Sequence, residues 1–312
     1  MENYMTVLLT GGLGHIGSRL IGDLLKEDDI VIIDSLATQR YSSLFNLKTK
    51  HKLRILTQEC QTVDMSQIRR LGSISSIVHL AAHNEIRMFE KSPGTLRENN
   101  FSSTKWANTV AATLGIPLIF PSSTSVYNRT GHDLSESDTG EPPISIYARV
   151  KKEEELFLQT ANDNGSKNTI LRLGTIYGTS PGMRFHTAIN NFCWNHSIGR
   201  PIDIWGNSLT LVRPYLALSD AVSGIKRVIN SKTGLPALIN LVSENLALFH
   251  VIELLERVSG RKVQLNHVAE QPSSTLSFSV SNKLAISQKF SFTQSVEDGI
   301  KETMTLLKGI DQ

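Results

Sequence analysis

Tyr147 and Lys151 stand four residues apart in the run IYARVKKEEE, and Ser123 closes the apolar run PLIFPSS. A four-residue separation on a helix raises both side chains on one face, so the ammonium can lie beside the phenol. A neighbouring cation favours phenolate and draws a tyrosine towards the working range of a general base, helped by the positive charge of an oxidised nicotinamide. Ser123, a hydroxyl at the end of a strand, can hold the same oxygen that the tyrosine deprotonates. Together the three describe oxidation of an alcohol, or its reverse. Each signal alone is weak, because Tyr-x-x-x-Lys spacing arises by chance and serines at strand ends often only begin a turn. Their order gives them weight: the serine ends the strand before the tyrosine's helix, and both follow a glycine-rich turn near the N-terminus.

That turn is TGGLGHIG, with Gly11, Gly14, His15, Ile16 and Gly17, placed directly after the strand candidate TVLLT and opening the helix candidate HIGSRLIGDLL. Glycines permit a tight turn in which backbone N–H groups and the positive end of a helix meet a pyrophosphate. The next strand, IVIID, ends in Asp34, seventeen residues beyond Gly17, where a carboxylate can accept from both ribose hydroxyls of an adenosine. Its charge disfavours a 2′-phosphate, so NAD is expected over NADP, with Arg40 nearby keeping the second open. The alternative reading of Asp34 is the cap of the next turn. Asp64, beside Met65 in TVDMSQI, is placed either to bond an adenine or to cap the following helix.

The elements that must position these residues alternate: TVLLT, IGSRLIGDLLKE, IVIID, LRILT, SSIVHLAA, a helix around TKWANTVAATLG, IPLIFPSS, a helix over 146–162, and TILRLGTIYG. Near-continuous Val, Ile and Leu in the short runs predict strands covered on both faces. The expected fold is α/β, a doubly wound parallel sheet of the Rossmann kind with a smaller C-terminal substrate-binding lobe. We assign 1–173 to the NAD-binding domain and 174–312 mainly to the substrate lobe, some of its segments returning to the sheet. Helices are expected there over 248–259 and 296–307.

The 312 residues are 40% hydrophobic with a formal net charge of +3, an ordinary globular balance with no basic face suited to nucleic acid. Cys60 and Cys193, the only cysteines, lack metal or disulfide spacing and read as buried thiols. No metal is expected. No apolar run is long enough to span a bilayer and no secretory leader is visible, so a soluble cytoplasmic protein is expected.

These motifs resemble the extended short-chain dehydrogenase/reductase family, in its NAD-dependent nucleotide-sugar epimerase/dehydratase branch. TGGLGHIG is similar to the family's TGxxGxxG, HLAAH at 79–83 to its HLAA, Asn100 in ENNFSST to the asparagine of NVxGT, and SSTSVY at 122–127 to SSxxVYG. Tyr147 and Lys151 match YxxxK; LRLGTIYG resembles RxxNVYG, and VRPYLALSDA resembles RPYxHVxDL. The resemblance implies that Ser123, Tyr147 and Lys151 are catalytic. It implies a cofactor site of Gly11, Gly14, His15, Ile16, Gly17, Asp34, Asp64, Met65, Leu80, Ala81, Ala82, Asn100, Tyr147 and Lys151. It places Asn84, Ser123, Thr124, Thr175, Arg184, Asn191, Phe192, Trp205 and Arg213 at the substrate, Arg213 gripping the diphosphate and Trp205 lying near the base. Arg184, Asn191, Trp205 and Arg213 each also fit an ordinary structural role.

Thr175 stands where many members have asparagine, Thr179 where proline is usual, and Asn128 where glycine follows the tyrosine. After Ser123 come Thr124 and Ser125, where dehydratases of the branch carry an Asp-Glu pair. Neither can act as a carboxylic acid, which disfavours dehydration. The expected activity is therefore NAD-dependent epimerisation of a nucleotide sugar, a UDP-sugar favoured, at C4 through a transient 4-keto form. The alternatives are a nucleotide-sugar reductase, dehydrogenase or dehydratase using NAD(P), and a catalytically silent dinucleotide-binding protein. A homodimer through sheet-flanking helices is a family-level expectation.

Overall fold

The computed structural model describes residues 5–83, 93–138, 140–232, 234–269 and 276–310. Seven strands form one parallel sheet: β1 (Thr6–Thr10), β2 (Asp29–Ile33), β3 (Leu53–Leu56), β4 (Ser76–His79), β5 (Leu118–Ser123), β7 (Asn168–Leu173) and β11 (Leu238–Leu241), in the order β11-β7-β5-β4-β1-β2-β3. The order reverses between β1 and β4, the place where a doubly wound sheet opens a crevice beyond its strand ends.

Successive strand residues alternate between two cores, as the pleat requires. Val7, Leu9, Ile30, Ile32, Val78, Ile119 and Leu171 face one, closed by Leu20, Ile21 and Leu24 of helix α1 (His15–Leu24) with Val222, Ile225 and Val228 from 218–229. Leu8, Val31, Ile33, Ile77, Leu118, Phe120 and Ile170 face the other. That side is closed by α2 (Met65–Arg70), α3 (Pro93–Leu114) and α4 (Ile146–Asp163) through Ile68, Ala107, Val110, Ala111 and Leu158. Because both faces are covered, the strands read as unbroken apolar runs.

TILRLGTIYG divides at Gly174 into β7 and β8 (Thr175–Tyr177), which joins a second sheet. There β10 (Val212–Ala217) pairs parallel with β8 and antiparallel with β12 (Glu244–Ala247). Two parallel pairs complete the smaller lobe: β9 (Ile202–Trp205) with β13 (Leu265–Val268), and β6 (Gly131–Leu134) with β14 (Phe278–Val280). Helices α5 (Ala188–Ser197), α7 (Leu248–Ser259) and α9 (Val296–Leu306) bury Ile189, Cys193, Val251, Leu255, Val296 and Ile300 against Ile202, Ile204 and Tyr215 in its core. Helix α6 (Leu218–Ile229) and the short α8 (Lys283–Ser287) belong to the large sheet, where Phe290 and Ala285 join the first core. Cys60 and Cys193 are free and buried, and burial pushes each thiol up to about 12.

Candidate active site

A cavity of about 700 Å³ opens at the crevice between the ends of β1 and β4. Gly11, Gly14, His15, Ile16 and Gly17 form its floor, Asp34 to Arg40 one flank, Leu80 to His83 with Asn100 the other. Gly11 has φ +62°, a left-handed turn, and a β-carbon there would lie 2.6 Å from Ala81 Cα. Gly14 is the N-cap of α1, with no side-chain cap and no acidic residue in the first turn. The first turn of α1 thus carries no acidic side chain of its own, so its amides and the helix dipole suit an anionic pyrophosphate. Asp34 accepts from the amides of Leu13 (3.1 Å) and Leu36 (2.9 Å), so it caps the turn and also lines the cavity. His15 donates from Nε2 to the Gly178 carbonyl (3.1 Å), and burial lowers its pKa to about 4, with His186, Arg40 and Arg184 acting in the same direction. Asn100 is buried and clamps His83, accepting from its amide (2.8 Å) and donating to its carbonyl (3.0 Å), which fixes the turn after β4.

Asp64 and Met65, expected at the adenine, are not among the lining residues. Asp64 is the N-cap of α2 in a capping box: its carboxylate accepts from the amides of Ser66 (2.8 Å) and Gln67 (2.9 Å), and hydrogen bonding by the Ser66 side chain, then by the Gln67 amide, holds its pKa below the usual carboxylate range. Gln58, Glu59, Cys60 and Gln61, just after β3, occupy the cavity wall instead. Met183, Arg184 and His186 reach it from the far half of the chain. Arg184, expected at the substrate, thus stands on the dinucleotide side. Asn84 lies outside the described residues.

Residues 178–186 cross the glycine turn as a strap. Ser180 Oγ donates to the His15 carbonyl (2.9 Å), the Gly182 amide to Ser18 Oγ (2.9 Å), and Arg40 to the Gly182 carbonyl (2.9 Å). The strap approaches so closely that a β-carbon on Gly182 would lie 2.3 Å from the Leu13 carbonyl oxygen and 2.7 Å from that of Gly14. Nothing in the local pattern of GTSPGMRF announces this contact.

Ser123 ends β5, and Lys151 on α4 lies with Nζ 4.3 Å from the ring centre of Phe120 in the same strand. Tyr147 is one turn earlier on α4. None of the three lines the 700 Å³ cavity; Ser123 stands at the carboxyl end of β5, next to β4, which ends in His79. Lys151 is buried and pairs with Glu154 at 3.2 Å. Glu154 Oε1 accepts from Thr104 Oγ1 (2.6 Å). With its hydrogen so committed, Thr104 Oγ1 accepts from His79 Nε2 (3.2 Å), which leaves Nδ1 to accept from Thr10 Oγ1 (2.7 Å). Burial lowers the His79 pKa to about 3, and the Lys151 charge adds to it, so the ring is neutral and bonded at both nitrogens. For Tyr147 the expected downward pull of Lys151 is present but outweighed: burial raises the pKa and Glu154 pushes the same way.

The remaining substrate candidates are scattered among packing roles. Thr124 is buried and donates to the Leu173 carbonyl (3.3 Å), while Thr175 is half-buried at the start of β8, opposite Tyr215. Asn191 donates to the Phe185 carbonyl (2.9 Å) and accepts from Asn195 (3.0 Å), and Phe192 belongs to the core of the smaller lobe. Trp205 ends β9, half-buried beside Val268. The Arg213 guanidinium lies 5.5 Å from the Phe278 ring. Sequence reasoning passed over Glu154, because KKEEE reads as a solvated run; the helical period that puts 147, 151, 154 and 158 on one side was the available signal. Glu155 of that run is buried too, gripping Arg172 at 2.8 and 3.0 Å and accepting from Ser122 Oγ (2.6 Å).

A parallel sheet with a glycine turn, a helix N-terminus without an acidic first turn and an acidic residue after the second strand defines a dinucleotide-binding fold. Residues 7–241 match the NAD dependent epimerase/dehydratase family. The chain belongs to that family, and NAD is its cofactor. It is 28% identical to a UDP-glucuronate 4-epimerase of Thermodesulfobacterium geofontis, covering 96% of this chain and 95% of the relative. It is 26% identical to an uncharacterized UDP-glucose epimerase of Bacillus subtilis, covering 87% and 88%. In fold it resembles the UDP-glucuronic acid 4-epimerase of Bacillus cereus, solved with UDP-glucuronic acid and NAD, at a TM-score of 0.86, 24% identity and coverage of 98% and 100%. A UDP-N-acetylglucosamine 4-epimerase of Methanobrevibacter ruminantium gives 0.84 at 22% identity, covering 97% of each chain.

Proposed function

We propose that the protein is an NAD-dependent epimerase that inverts C4 of a UDP-sugar through a 4-keto intermediate. The observation that carries the reading is the dinucleotide cavity at the glycine turn, taken with Ser123 at the end of β5 and, on α4, Tyr147 one turn before a buried Lys151. The first-turn amides of α1 hold the pyrophosphate, Asp34 takes the adenosine ribose, and the segment Glu59 to Gln61 replaces Asp64 and Met65 around the adenine. Asn100 acts on the cofactor indirectly, by fixing the turn after β4 that holds Leu80 to Ala82. NAD supplies the hydride acceptor for the first half of the cycle and the donor for the second. Tyr147 removes the proton of the C4 hydroxyl and later returns it; Ser123 donates to the same oxygen; Lys151 orients Tyr147 and holds the nicotinamide ribose.

Arg213 suits the diphosphate, because a guanidinium presents paired donors to paired oxygens. Thr124, Ser125 and Thr175 offer hydroxyls and no carboxylic acid near Ser123, which favours return of the proton over expulsion of a leaving hydroxyl. A UDP-sugar is favoured because curated relatives that span most of the chain are named for UDP-glucuronate and UDP-glucose. The outer faces of α3 and α4 carry an exposed Leu156 (53%) beside the edge-on pair Phe101–Phe157, framed by the Arg97–Glu153 ion pair, and we assign this surface to a homodimer. No helix among the described residues is long and apolar enough to cross a membrane, and we place the enzyme in the cytoplasm.

The test is to purify the protein, quantify bound NAD, and offer UDP-, GDP- and dTDP-sugars without added cofactor. Formation of the C4 epimer with no net NADH supports the reading. Inertness towards every nucleotide sugar, with ligand binding unchanged in Tyr147→Phe, refutes it.

A further inference from the structure

Between β8 and helix α5 the chain has neither helix nor strand, and residues 178–186 form the strap that crosses the glycine turn. Both of its ends are fixed. Asn190, buried on α5, accepts from the Gly178 amide (3.1 Å) and donates to the Gly178 carbonyl (3.0 Å), and Phe185 packs on Trp194 with ring centres 5.2 Å apart. The stretch between is held differently. None of residues 179–184 joins an apolar core among the described residues. Polar bonds hold it down instead: Thr179 Oγ1 donates to Glu302 of α9, Ser180 Oγ to the His15 carbonyl, and the Gly182 amide to Ser18 Oγ. From the other side Ser42 Oγ donates to the Pro181 carbonyl (2.8 Å) and Arg40 to that of Gly182 (2.9 Å). Lifting this stretch exchanges those bonds for bonds to water and uncovers no core, which is the mark of a segment that opens locally.

The bonds join the strap to two walls of the cofactor cavity. Arg40 and Ser42 continue the flank that begins at Asp34, and His15 and Ser18 lie in the helix that opens from the floor. Beyond Gly182 the strap itself enters the cavity, where Met183, Arg184 and His186 line the wall. Floor, flank and strap are thus drawn together at the first turn of α1, whose amides suit a pyrophosphate. Floor and flank follow directly from β1 and β2 of the large sheet; of the three walls, the strap is the one able to withdraw without disturbing a strand. We propose that the strap is the gate of the cofactor site: NAD enters and leaves when residues 179–184 lift from the glycine turn, and the bonds across the strap set the exchange rate. This rests on NAD as the cofactor, and not on which sugar is turned over. A gated site keeps the dinucleotide in place between two opposite hydride transfers, which a reaction that borrows and returns one hydride requires.

The test measures cofactor exchange. The purified protein is saturated with NADH and chased with excess NAD in a stopped-flow fluorimeter, which gives the release rate, and a fluorescence titration with NADH gives the affinity. Ser42→Ala, Ser180→Ala and Glu302→Ala each remove one bond to the strap, and none of the three side chains lines the cavity. Each variant is expected to release NADH about 2- to 10-fold faster, the effect of one lost hydrogen bond. Because the lost bond is not made to the cofactor, entry quickens in step and the dissociation constant stays within about twofold of the parent's. Three separate positions keep the test decisive should one variant fail to fold. Unchanged release in the variants that fold would overturn the proposal. So would faster release with affinity weakened in proportion, since the strap would then be a binding contact and not a gate. Neither measurement involves a sugar: gated exchange in a protein inert towards every nucleotide sugar would sink the epimerase reading and leave the gate standing, while turnover with ungated exchange would do the reverse.

Discussion

Gly182→Ala tests whether the strap governs the dinucleotide site from a position far outside the glycine-rich turn. The added methyl would lie 2.3 Å from the Leu13 oxygen and 2.7 Å from both the Gly14 oxygen and Ser43 Oγ. Ordinary contact begins near 3.4 Å, so strap or turn must retreat by about 1 Å. Overpacking of this kind costs about 1–3 kcal/mol, and a retreat of that size also breaks the bonds from the Gly182 amide to Ser18 and from Arg40 to the Gly182 carbonyl, at about 0.5–1.5 kcal/mol each. The expected loss is about 2–6 kcal/mol, or about 3–9 °C in Tm by differential scanning calorimetry. If the glycine turn takes half of the displacement, NAD binds about tenfold more weakly by isothermal titration. Gly22→Ala is the control: it lies in α1 with nothing within 4 Å of the added β-carbon, and it should leave NAD affinity alone and gain up to about 1 kcal/mol. An unchanged Tm and NAD affinity in Gly182→Ala would refute the close approach on which the strap argument depends.

Tyr147→Phe should retain NAD and lower turnover by about 10²–10⁴-fold, the range expected for loss of one general acid–base group, in a coupled assay. Glu155→Gln leaves Arg172 buried without its anion and should cost about 3–5 kcal/mol in urea unfolding, with the circular dichroism of the residual native protein unchanged. Stability should also depend on pH through His15 and His79, whose folded pKa values of about 4 and about 3 lie below the 6.5 of an unfolded chain. Below 6.5 the unfolded state binds protons that the folded state refuses, so each histidine removes about 1.4 kcal/mol per pH unit as pH falls from about 6 to 4, and stability is flat in this respect above 7. Urea midpoints at pH 5 and 7 check the slope, and His79→Gln should make it shallower. Asp34→Asn should weaken NAD by about tenfold with kcat at saturating NAD little changed, since the carboxylate serves binding and not the reacting carbon.

The strands of the large sheet were legible because both of their faces are covered, so that TVLLT, IVIID and IPLIFPSS carry an unmistakable apolar run. The helix over 248–259 was read at both ends, and those over 146–162 and 296–307 to within a residue. Helix α6 was not, although it is strongly amphipathic: it follows β10 directly at Leu218, its N-cap Ala217 makes no side-chain bond, and Gly224 interrupts it. That glycine is explained only by the fold, since a β-carbon there would lie 2.7 Å from Leu241 Cδ1. The pairings β9 with β13 and β6 with β14 join segments far apart in the chain, which no local pattern encodes. At the site, the glycine turn, Asp34 and the Tyr-Lys pair were visible because their chemistry is written in adjacent residues. Glu59 at the cavity, the strap over Gly11 to Gly17 and the burial of Glu154 were not, because each depends on what another segment brings against it. Asp64 shows the converse: a carboxylate before a helix satisfies a local rule first, and here the cap uses it.

The central claim is that a hydride leaves C4 and returns to it within one closed site. The direct measurement is incubation of the purified protein in deuterium oxide with UDP-glucose or UDP-glucuronate, without added cofactor, followed by proton NMR of the sugar ring. The account predicts that the C4 epimer accumulates with a proton, not deuterium, at C4 and with no NADH in solution. Deuterium at C4, or net NADH matching the sugar consumed, would contradict it.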